Sequence, residues 1–248
     1  MILQALVNYY ESLAAQGKLA KPGWGEAKIS FALEISEEGD LTGILTLVES
    51  VQQGKKAVEK PKVLILPEGT KRSSGVAAQF LWDNARYILG IDEAGKEERA
   101  KKCFQATAER TQKILSKANG KQAQAIKSFL AKWNPDSAKD NEILRPYITD
   151  FLKGGNITFR IDGNYPQNDA EIIAAWDEYY ASQSAEQRGI CLVTGQEGPI
   201  ARLHPNIKGV RGAQSSGAAL VSFNAPAFES YGHEQGMNAN VSEYAAFA

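Results

Sequence analysis

Two alternating apolar runs joined by a turn sequence constrain the fold more than any other feature of this chain. Ile29, Phe31, Leu33 and Ile35 alternate with small or polar residues, SEEGD follows, and LTGILTLV then repeats the alternation. Alternation with a period of two places every second side chain on the same face of a strand. The pattern predicts an antiparallel β-hairpin, with its second strand over residues 41–48.

Helical spacing dominates other parts of the chain. Apolar residues between Ile2 and Leu13 recur at helical intervals and predict an amphipathic first helix that Gly17 ends. Residues 96–119 and 121–133 are rich in Ala, Lys, Gln and Glu, which favours two further helices. These helices are expected to have solvated polar faces.

The remaining segments complete the predicted fold. QQGKKAVEKPK is interpreted as a polar linker to a short buried strand, VLIL, and NITFRI and ALVSF are interpreted as strands. The spacing in SSGVAAQFLWDNARYILG predicts a helix that starts at Ser73 or Ser74 and ends at Gly90. Strands and helices come in blocks rather than as βαβ units, so we expect an α+β fold.

Length and composition limit the class of protein. The 248 residues are expected to form a single domain, and the apolar runs are too short to cross a bilayer. MILQALVNYYESL has no secretory leader pattern, which favours a cytoplasmic protein. Cys103 and Cys191 stand far apart, so neither a disulfide framework nor a zinc ribbon is expected. VSEYAAFA resembles the opening turn of a helix, so we expect the natural protein to be longer than this sequence.

The segment KRSSG is a candidate anion site. Lys71 and Arg72 precede the start of the helix predicted at Ser73 or Ser74, with Gly75 beside them. Free backbone N–H groups and the helix dipole favour an anion at such a position, and a phosphate group fits it. The alternative is that a serine caps the helix and the two basic residues are solvated.

A second candidate lies in the glycine-rich stretch near the end of the chain. Residues 198–228 contain no acidic residue but include Arg202, Lys208 and Arg211, so a ligand facing this stretch meets positive charge. Small residues let a backbone approach a ligand closely. The alternative is an ordered surface loop. The other candidate contacts are the glycines and polar side chains Gly209, Gly212, Gln214, Ser215, Ser216, Gly217 and Asn224.

Other kinds of site are disfavoured. Gly212 and Gly217 match the glycine spacing of a nucleotide-binding P-loop, but Ala218 and Ala219 occupy the positions that need a lysine and a hydroxyl. The serines do not fit a nucleophile motif. Asp162, Asp169 and Glu171 are interpreted as turn and helix-start residues rather than as a metal-dependent nuclease site. No catalytic residue, metal or cofactor is therefore expected.

Three aromatic residues follow or end the glycine-rich stretch. Phe223, Phe228 and Tyr231 can stack on nucleic-acid bases, but their spacing fits core packing equally well. The sequence leaves both interpretations open.

Three blocks of the sequence resemble one protein family. They are ILQALVNYYESLAAQGKLAKPGWGEAKISFALEI, KRSSGVAAQFLWDNARYILGID and CLVTGQEGPIARLHPNIKGVRGAQSSGAALVSFNAPAFESYG. They resemble the large subunit of the type I-C CRISPR surveillance complex, Cascade. Members of that family are considerably longer, so the resemblance implies that this chain corresponds to their N-terminal portion.

The resemblance implies a non-enzymatic subunit of an RNA-guided antiviral complex. Its expected partners are the CRISPR RNA, double-stranded target DNA, other Cascade subunits and a recruited helicase-nuclease. The family's N-terminal region reads the protospacer-adjacent motif and helps to begin strand separation, while base pairing reads the target sequence. The alternative is a scaffold that binds the 5′ handle of the CRISPR RNA and neighbouring subunits without reading DNA.

The two candidate stretches are then expected to form one cationic surface. On this hypothesis Lys71 and Arg72 contact the DNA backbone, while the loop over residues 208–217 approaches a groove.

Overall fold

The chain forms two compact units in the computed structural model, which describes residues 2–16, 18–53, 56–70, 72, 75–184 and 187–248. Gly23–Tyr180 form one unit, which we call the central unit. Met1–Pro22 and Ala181–Ala248 form the other, which we call the terminal unit. The expectation of a single domain over residues 1–248 stays a prediction.

The described residues contain both helices and strands. The helices are α1 (Ile2–Ala15), α2 (Ala85–Ile88), α3 (Glu97–Ile114), α4 (Lys121–Lys132), α5 (Ile148–Lys153), α6 (Ala170–Ser182) and α7 (Glu243–Phe247). The strands are β1 (Trp24–Ile29), β2 (Phe31–Ile35), β3 (Leu41–Thr46), β4 (Val48–Gln53), β5 (Lys56–Pro67), β6 (Trp82–Asn84), β7 (Asn156–Ile161), β8 (Arg188–Ile190) and β9 (Glu197–Pro199). The predicted α+β fold is confirmed.

The predicted hairpin forms one side of a four-stranded sheet. β2 pairs antiparallel with β3, as expected, and the strand order is β3-β2-β7-β6. β2 also pairs with β7 in parallel, with Leu33 opposite Phe159. Phe31, Ala32 and Leu33 are all buried, so β2 is covered on both faces. This explains why its apolar residues carry the core of the central unit.

The segment interpreted as a linker is instead part of a second sheet. β1, β5 and β4 form three antiparallel strands, and QQGKKAVEKPK contributes to both β4 and β5. The linker prediction is therefore wrong. The strand ends at Pro67 as expected, but it has 12 residues and is not fully buried, since Val63 and Ile65 are exposed. Its polar residues are tolerated because much of this hairpin faces solvent, and Glu49 lies opposite Lys60.

The helices α1, α3 and α4 confirm the assignments made from helical spacing. Phe129 of α4 packs edge-to-face on Phe159 of β7, with ring centroids 5.6 Å apart, and so attaches the helix to the first sheet. Gly120 precedes α4 as expected. The turn after β2 also contacts α4, since a Cβ placed at Gly39 would lie 2.7 Å from the carbonyl oxygen of Ala125.

The helix predicted to start at Ser73 or Ser74 does not form. Residues 75–81 are not helical, and residues 82–84 form β6. α2 begins only at Ala85, where the Asn84 side chain accepts a hydrogen bond from the N–H of Arg86. Leu81 is buried with a φ of 65°, a value that no right-handed helix allows. Burial of Leu81 and pairing of β6 therefore override the helical spacing.

The three carboxylates considered for a nuclease site have structural roles or lie in a turn. Asp169 accepts hydrogen bonds from the N–H groups of Glu171 and Ile172, both at 3.0 Å, and so caps α6. Glu171 accepts from the N–H groups of Asn119 and Gly120, at 2.6 and 2.5 Å, at the start of α4. Asp162 occupies a turn with a φ of 44°. The residue that caps α6 is thus Asp169, and Glu171 links two helices.

The terminal unit has a small core of its own. Val7, Cys191, Val193, Val241 and Ala245 are buried together, and they join α1 to the segment around β8 and to α7. Cys103 and Cys191 are both free and buried. No helix in the described parts of the chain is long and apolar enough to cross a membrane.

Two glycines with the same backbone angle give a test of the packing between the turn and α4. Gly39 and Gly95 both have a φ of 84°, but a Cβ at Gly95 would meet nothing within 4 Å. We expect Gly95→Ala to cost about 1 kcal/mol of unfolding free energy, because of its backbone angle alone. Gly39→Ala should cost about 1 to 3 kcal/mol more, because the methyl group meets the backbone of α4. Urea denaturation measures both, and equal losses would contradict this packing.

The thiol of Cys191 gives a second test, through pH. Burial alone would raise the pKa of this thiol, but hydrogen bonds from Ser242 and Thr194 outweigh it and lower the pKa from 9.0 to about 6. A pKa lowered in the folded state adds stability that is complete above the unfolded pKa and is lost as the pH falls through the folded pKa. The free energy of unfolding should therefore rise between about pH 6 and pH 9.

Urea denaturation across this pH range, with thiols kept reduced, measures the effect. Cys191→Ala should abolish the rise, while Cys103→Ala, which also removes a buried thiol, should keep it. If the Cys191→Ala protein kept the wild-type slope, the thiolate assignment would be wrong.

Candidate nucleic-acid interface

The glycine-rich stretch forms a loop in the terminal unit that is closed by one backbone pair. The N–H of Ile207 donates to the carbonyl oxygen of Ala218 at 2.9 Å, and the N–H of Ala218 donates back at 3.0 Å. Inside this closure, two tight turns are held by bonds from Ala213 to Val210 and from Gly217 to Gln214. We call residues 207–218 the closed loop. The prediction of a strand over ALVSF, which follows this loop, is wrong, since residues 219–223 form no strand.

The glycines of the closed loop have different roles. Gly209, Gly212 and Gly217 all have positive φ values, at 77°, 84° and 99°. A Cβ at Gly209 or Gly212 would meet nothing within 4 Å, so the backbone there is open to a ligand. Gly217 is buried, and its Cβ would lie 2.8 Å from the Cβ of Asn206. Gly217 therefore packs against the residues at the closure of the loop, and its role as a ligand contact stays a prediction.

The basic residues of this stretch are exposed, and no described carboxylate pairs with them. Arg202, Lys208 and Arg211 are each exposed. Within the described part of the chain, none of the three forms an ion pair. Their charge is thus not cancelled by a neighbouring carboxylate, and it is available to an anionic ligand.

The polar residues of this stretch are also available. Gln214, Ser215, Ser216 and Asn224 are exposed. Their side chains have no hydrogen-bond partner among the residues that the structure describes. His204, which precedes the closed loop, differs: burial lowers its pKa, so its imidazole is neutral at neutral pH and adds no positive charge.

The KRSSG segment, the other candidate site, belongs to the central unit and has a different environment. Lys71, Ser73 and Ser74 lie outside the described residues, and Gly75 is exposed with a φ of 82°. Arg72 is described, and its guanidinium forms an ion pair with Asp83, whose side chain is 1% exposed. The Cζ atom of Arg72 also lies 4.1 Å from the centroid of the Tyr87 ring.

Asp83 explains why Arg72 is held inward. Besides Arg72, its carboxylate accepts hydrogen bonds from the N–H groups of Gln79 and Asn84, at 3.0 and 2.8 Å. A buried carboxylate needs a cationic partner, and Arg72 supplies it. The structure thus gives Arg72 a partner within the chain, and the described residues that follow it, 75–81, are not helical. The phosphate site predicted at Lys71, Arg72, Ser73, Ser74 and Gly75 stays a prediction.

The two candidate stretches belong to different units, Arg72 to the central unit and the closed loop to the terminal unit. The local sequence pattern does not mark Asp83 as buried, so its pairing with Arg72 was not predicted. The described residues contain no group of three or more His, Cys, Asp or Glu side chains that could hold a metal ion.

Comparison with known families identifies the class of protein. A family model described as CRISPR-associated protein (Cas_Csd1) matches residues 6–248 of this chain. Because the match covers nearly the whole sequence, the chain belongs to this family, the large subunit of type I-C Cascade. No curated protein matches the chain.

The ion pair of Arg72 gives a test that separates structure from DNA contact. Arg72→Ala leaves the carboxylate of Asp83 buried without its cation, so we expect it to lower the free energy of unfolding by about 2 to 4 kcal/mol. Lys208→Ala removes an exposed side chain that forms no ion pair with the described residues, and it should change stability by less than about 0.5 kcal/mol.

Urea denaturation of the two variants measures this difference. If Arg72→Ala were as stable as the wild type, and instead flattened the salt dependence of DNA binding, Arg72 would contact phosphate as the sequence suggested.

Proposed function

We propose that this chain is a non-catalytic part of an RNA-guided complex in the cytoplasm, and that its terminal unit binds target duplex DNA beside the protospacer-adjacent motif. One observation carries the proposal. The closed loop and Arg202 present exposed cations that pair with no carboxylate of the described residues. They lie in a stretch of 31 residues, 198–228, that contains no acid. The family membership supports the setting, a Cascade complex, in which other subunits, CRISPR RNA and a helicase-nuclease are further partners.

The proposed contacts divide into two kinds. Lys208, Arg211 and Arg202 contact phosphates, because such contacts need charge but no particular base. Gln214 and Ser215 approach base edges, since amide and hydroxyl groups can donate to and accept from bases. Gly209 and Gly212 keep the backbone free of side chains, so that the loop can approach a groove.

Neighbouring residues have supporting roles in this proposal. Ser216 and Asn224 supply further hydrogen-bonding groups near the same surface. Strand separation then begins where the protein holds the duplex beside the motif, and base pairing with the guide RNA reads the rest of the target. The chain performs no chemistry on the DNA.

The salt dependence of DNA binding tests the phosphate contacts. We expect Lys208→Ala/Arg211→Ala, in the assembled complex, to flatten the plot of log affinity against log salt concentration by about 0.9 for each lost phosphate contact. The loss of affinity should be similar for duplexes with and without the motif. Lys18→Ala/Lys102→Ala removes two exposed lysines elsewhere and should keep the wild-type slope.

The same binding assay, repeated with altered motif bases and with the CRISPR RNA handle, tests base reading and the scaffold alternative. If Gln214 or Ser215 reads a base, its replacement by Ala should reduce discrimination for the motif by about 1 to 3 kcal/mol. If the loop variants keep normal DNA binding but lose binding of the CRISPR RNA handle, the chain acts as a scaffold. An unchanged salt slope in the double loop variant would contradict the proposed phosphate contacts.

A further inference from the structure

The side chain of Tyr231 is almost wholly exposed, at 98%, on a tight turn of the terminal unit. Ser230 and His233 pair across this turn, and the N–H of His233 donates to the carbonyl oxygen of Ser230 at 2.9 Å. Tyr231 and Gly232 both have positive φ values, 55° and 74°. A two-residue turn with two positive φ angles strongly favours Asn or Asp followed by Gly.

The backbone of Tyr231 is therefore strained. A bulky side chain at a positive φ carries a steric cost. The ring recovers little of this cost within the chain, because at 98% exposure it buries almost no surface. Strain of this kind persists at binding sites, where an external contact uses the strained residue.

The turn is nevertheless held firmly in place. The Asn238 side chain accepts a hydrogen bond from the N–H of Ser230 at 2.7 Å and donates to the carbonyl oxygens of His233 and Gln235, at 2.7 and 3.0 Å. Asn238 thus bonds to both ends of the turn. A ring on such a support is preorganised, and little conformational entropy is lost when it binds a flat partner.

The same support connects the turn to the cationic stretch. The N–H of Gly236 donates to the carbonyl oxygen of Arg202 at 3.0 Å. A Cβ at Gly236 would lie 2.8 Å from that oxygen, so the two backbones are in close contact. The segment that holds Tyr231 is therefore packed against the backbone of Arg202, one of the exposed cations.

The charges beside the ring indicate which part of a nucleic acid it contacts. Glu229 and Glu234 lie on either side of the turn in sequence, and the carboxylate of Glu229 accepts a hydrogen bond from the N–H of Gln235 at 3.1 Å. Carboxylates repel phosphate, so the tip of the turn does not suit the nucleic-acid backbone. An uncharged base face suits the exposed ring, since every base can stack on an aromatic side chain.

We propose that Tyr231 stacks on an unpaired nucleobase while the exposed cations of the same unit contact the neighbouring phosphates. The proposal rests on the proposed function, because it requires that this unit binds nucleic acid. It adds a residue and a mode of recognition, with an unpaired base as the ligand. The base can belong to the separated target DNA or to the CRISPR RNA, and the experiment distinguishes these sources.

Tyr231→Asn, tested in the assembled complex, separates stacking from a structural role. Asparagine tolerates a positive φ, so this variant should raise the thermal unfolding midpoint by about 2 to 4 °C. Loss of the ring should weaken binding of the nucleic acid that supplies the base by about 5- to 150-fold. Replacing a residue that has only a structural role would not make the protein more stable and weaken its binding of nucleic acid at the same time.

Two variants serve as controls. Tyr231→Phe keeps the ring and should bind as the wild type does. Tyr9→Asn removes another exposed tyrosine, which lies within the regular helix α1, and should leave binding unchanged.

The binding probes are a motif-bearing duplex with a short mismatched bubble beside the motif and the handle segment of the CRISPR RNA. Weaker binding of the bubble duplex alone assigns the base to target DNA, and weaker binding of the handle alone assigns it to the guide. Wild-type affinity of Tyr231→Asn for both probes would overturn the proposal. If Lys208→Ala/Arg211→Ala still flattened the salt slope in that case, the proposed function would stand without this contact.

Discussion

The backbone pair between Ile207 and Ala218 is the interaction on which the account of this protein depends. Its two hydrogen bonds, 2.9 and 3.0 Å long, close a loop whose enclosed residues, apart from Ala213 and Gly217, face solvent. Without this closure Lys208 and Arg211 would belong to a flexible chain, and ordering them on a ligand would cost conformational entropy. With it, the two cations and the open backbone at Gly209 and Gly212 are presented together.

Arg72 and Arg211 show how the neighbourhood of a residue decides its role. Both lie in a segment rich in serine and glycine, and both are candidate phosphate contacts by sequence. Asp83 is buried and hydrogen-bonded, and its carboxylate forms an ion pair with the guanidinium of Arg72 within the central unit. No carboxylate of the described chain pairs with Arg211, which lies in a stretch that contains no acid.

The sequence predicted the parts of the fold that local patterns control. The β2–β3 hairpin and the helices α1, α3 and α4 follow from periodicity, turn residues and helix propensity, which act over a few residues. The helix prediction over residues 75–84 was wrong for two reasons. Leu81 is buried in a left-handed conformation, and β6 pairs with β7, which lies more than 70 residues away in the chain. The β4–β5 hairpin was predicted to be a linker because polar, exposed strands have the same composition as linkers.

The candidate site was predictable to a similar extent. The acid-free stretch was visible in the sequence, since a missing residue type needs no structure to be noticed. The burial of Gly217 and the exposure of Tyr231 were not, because both depend on which backbone segments pack together. Asp83 illustrates the same limit, as its burial results from contacts that no local pattern records.

Lysine footprinting of the assembled complex tests the central claim most directly. An amine-reactive reagent is applied with and without motif-bearing duplex DNA, and the modification of each lysine is measured by mass spectrometry. We expect DNA to protect Lys208, while Lys18 and Lys102, which are also exposed, react equally in both states. Equal modification of Lys208 with and without DNA, under conditions where the complex is saturated, would contradict the account.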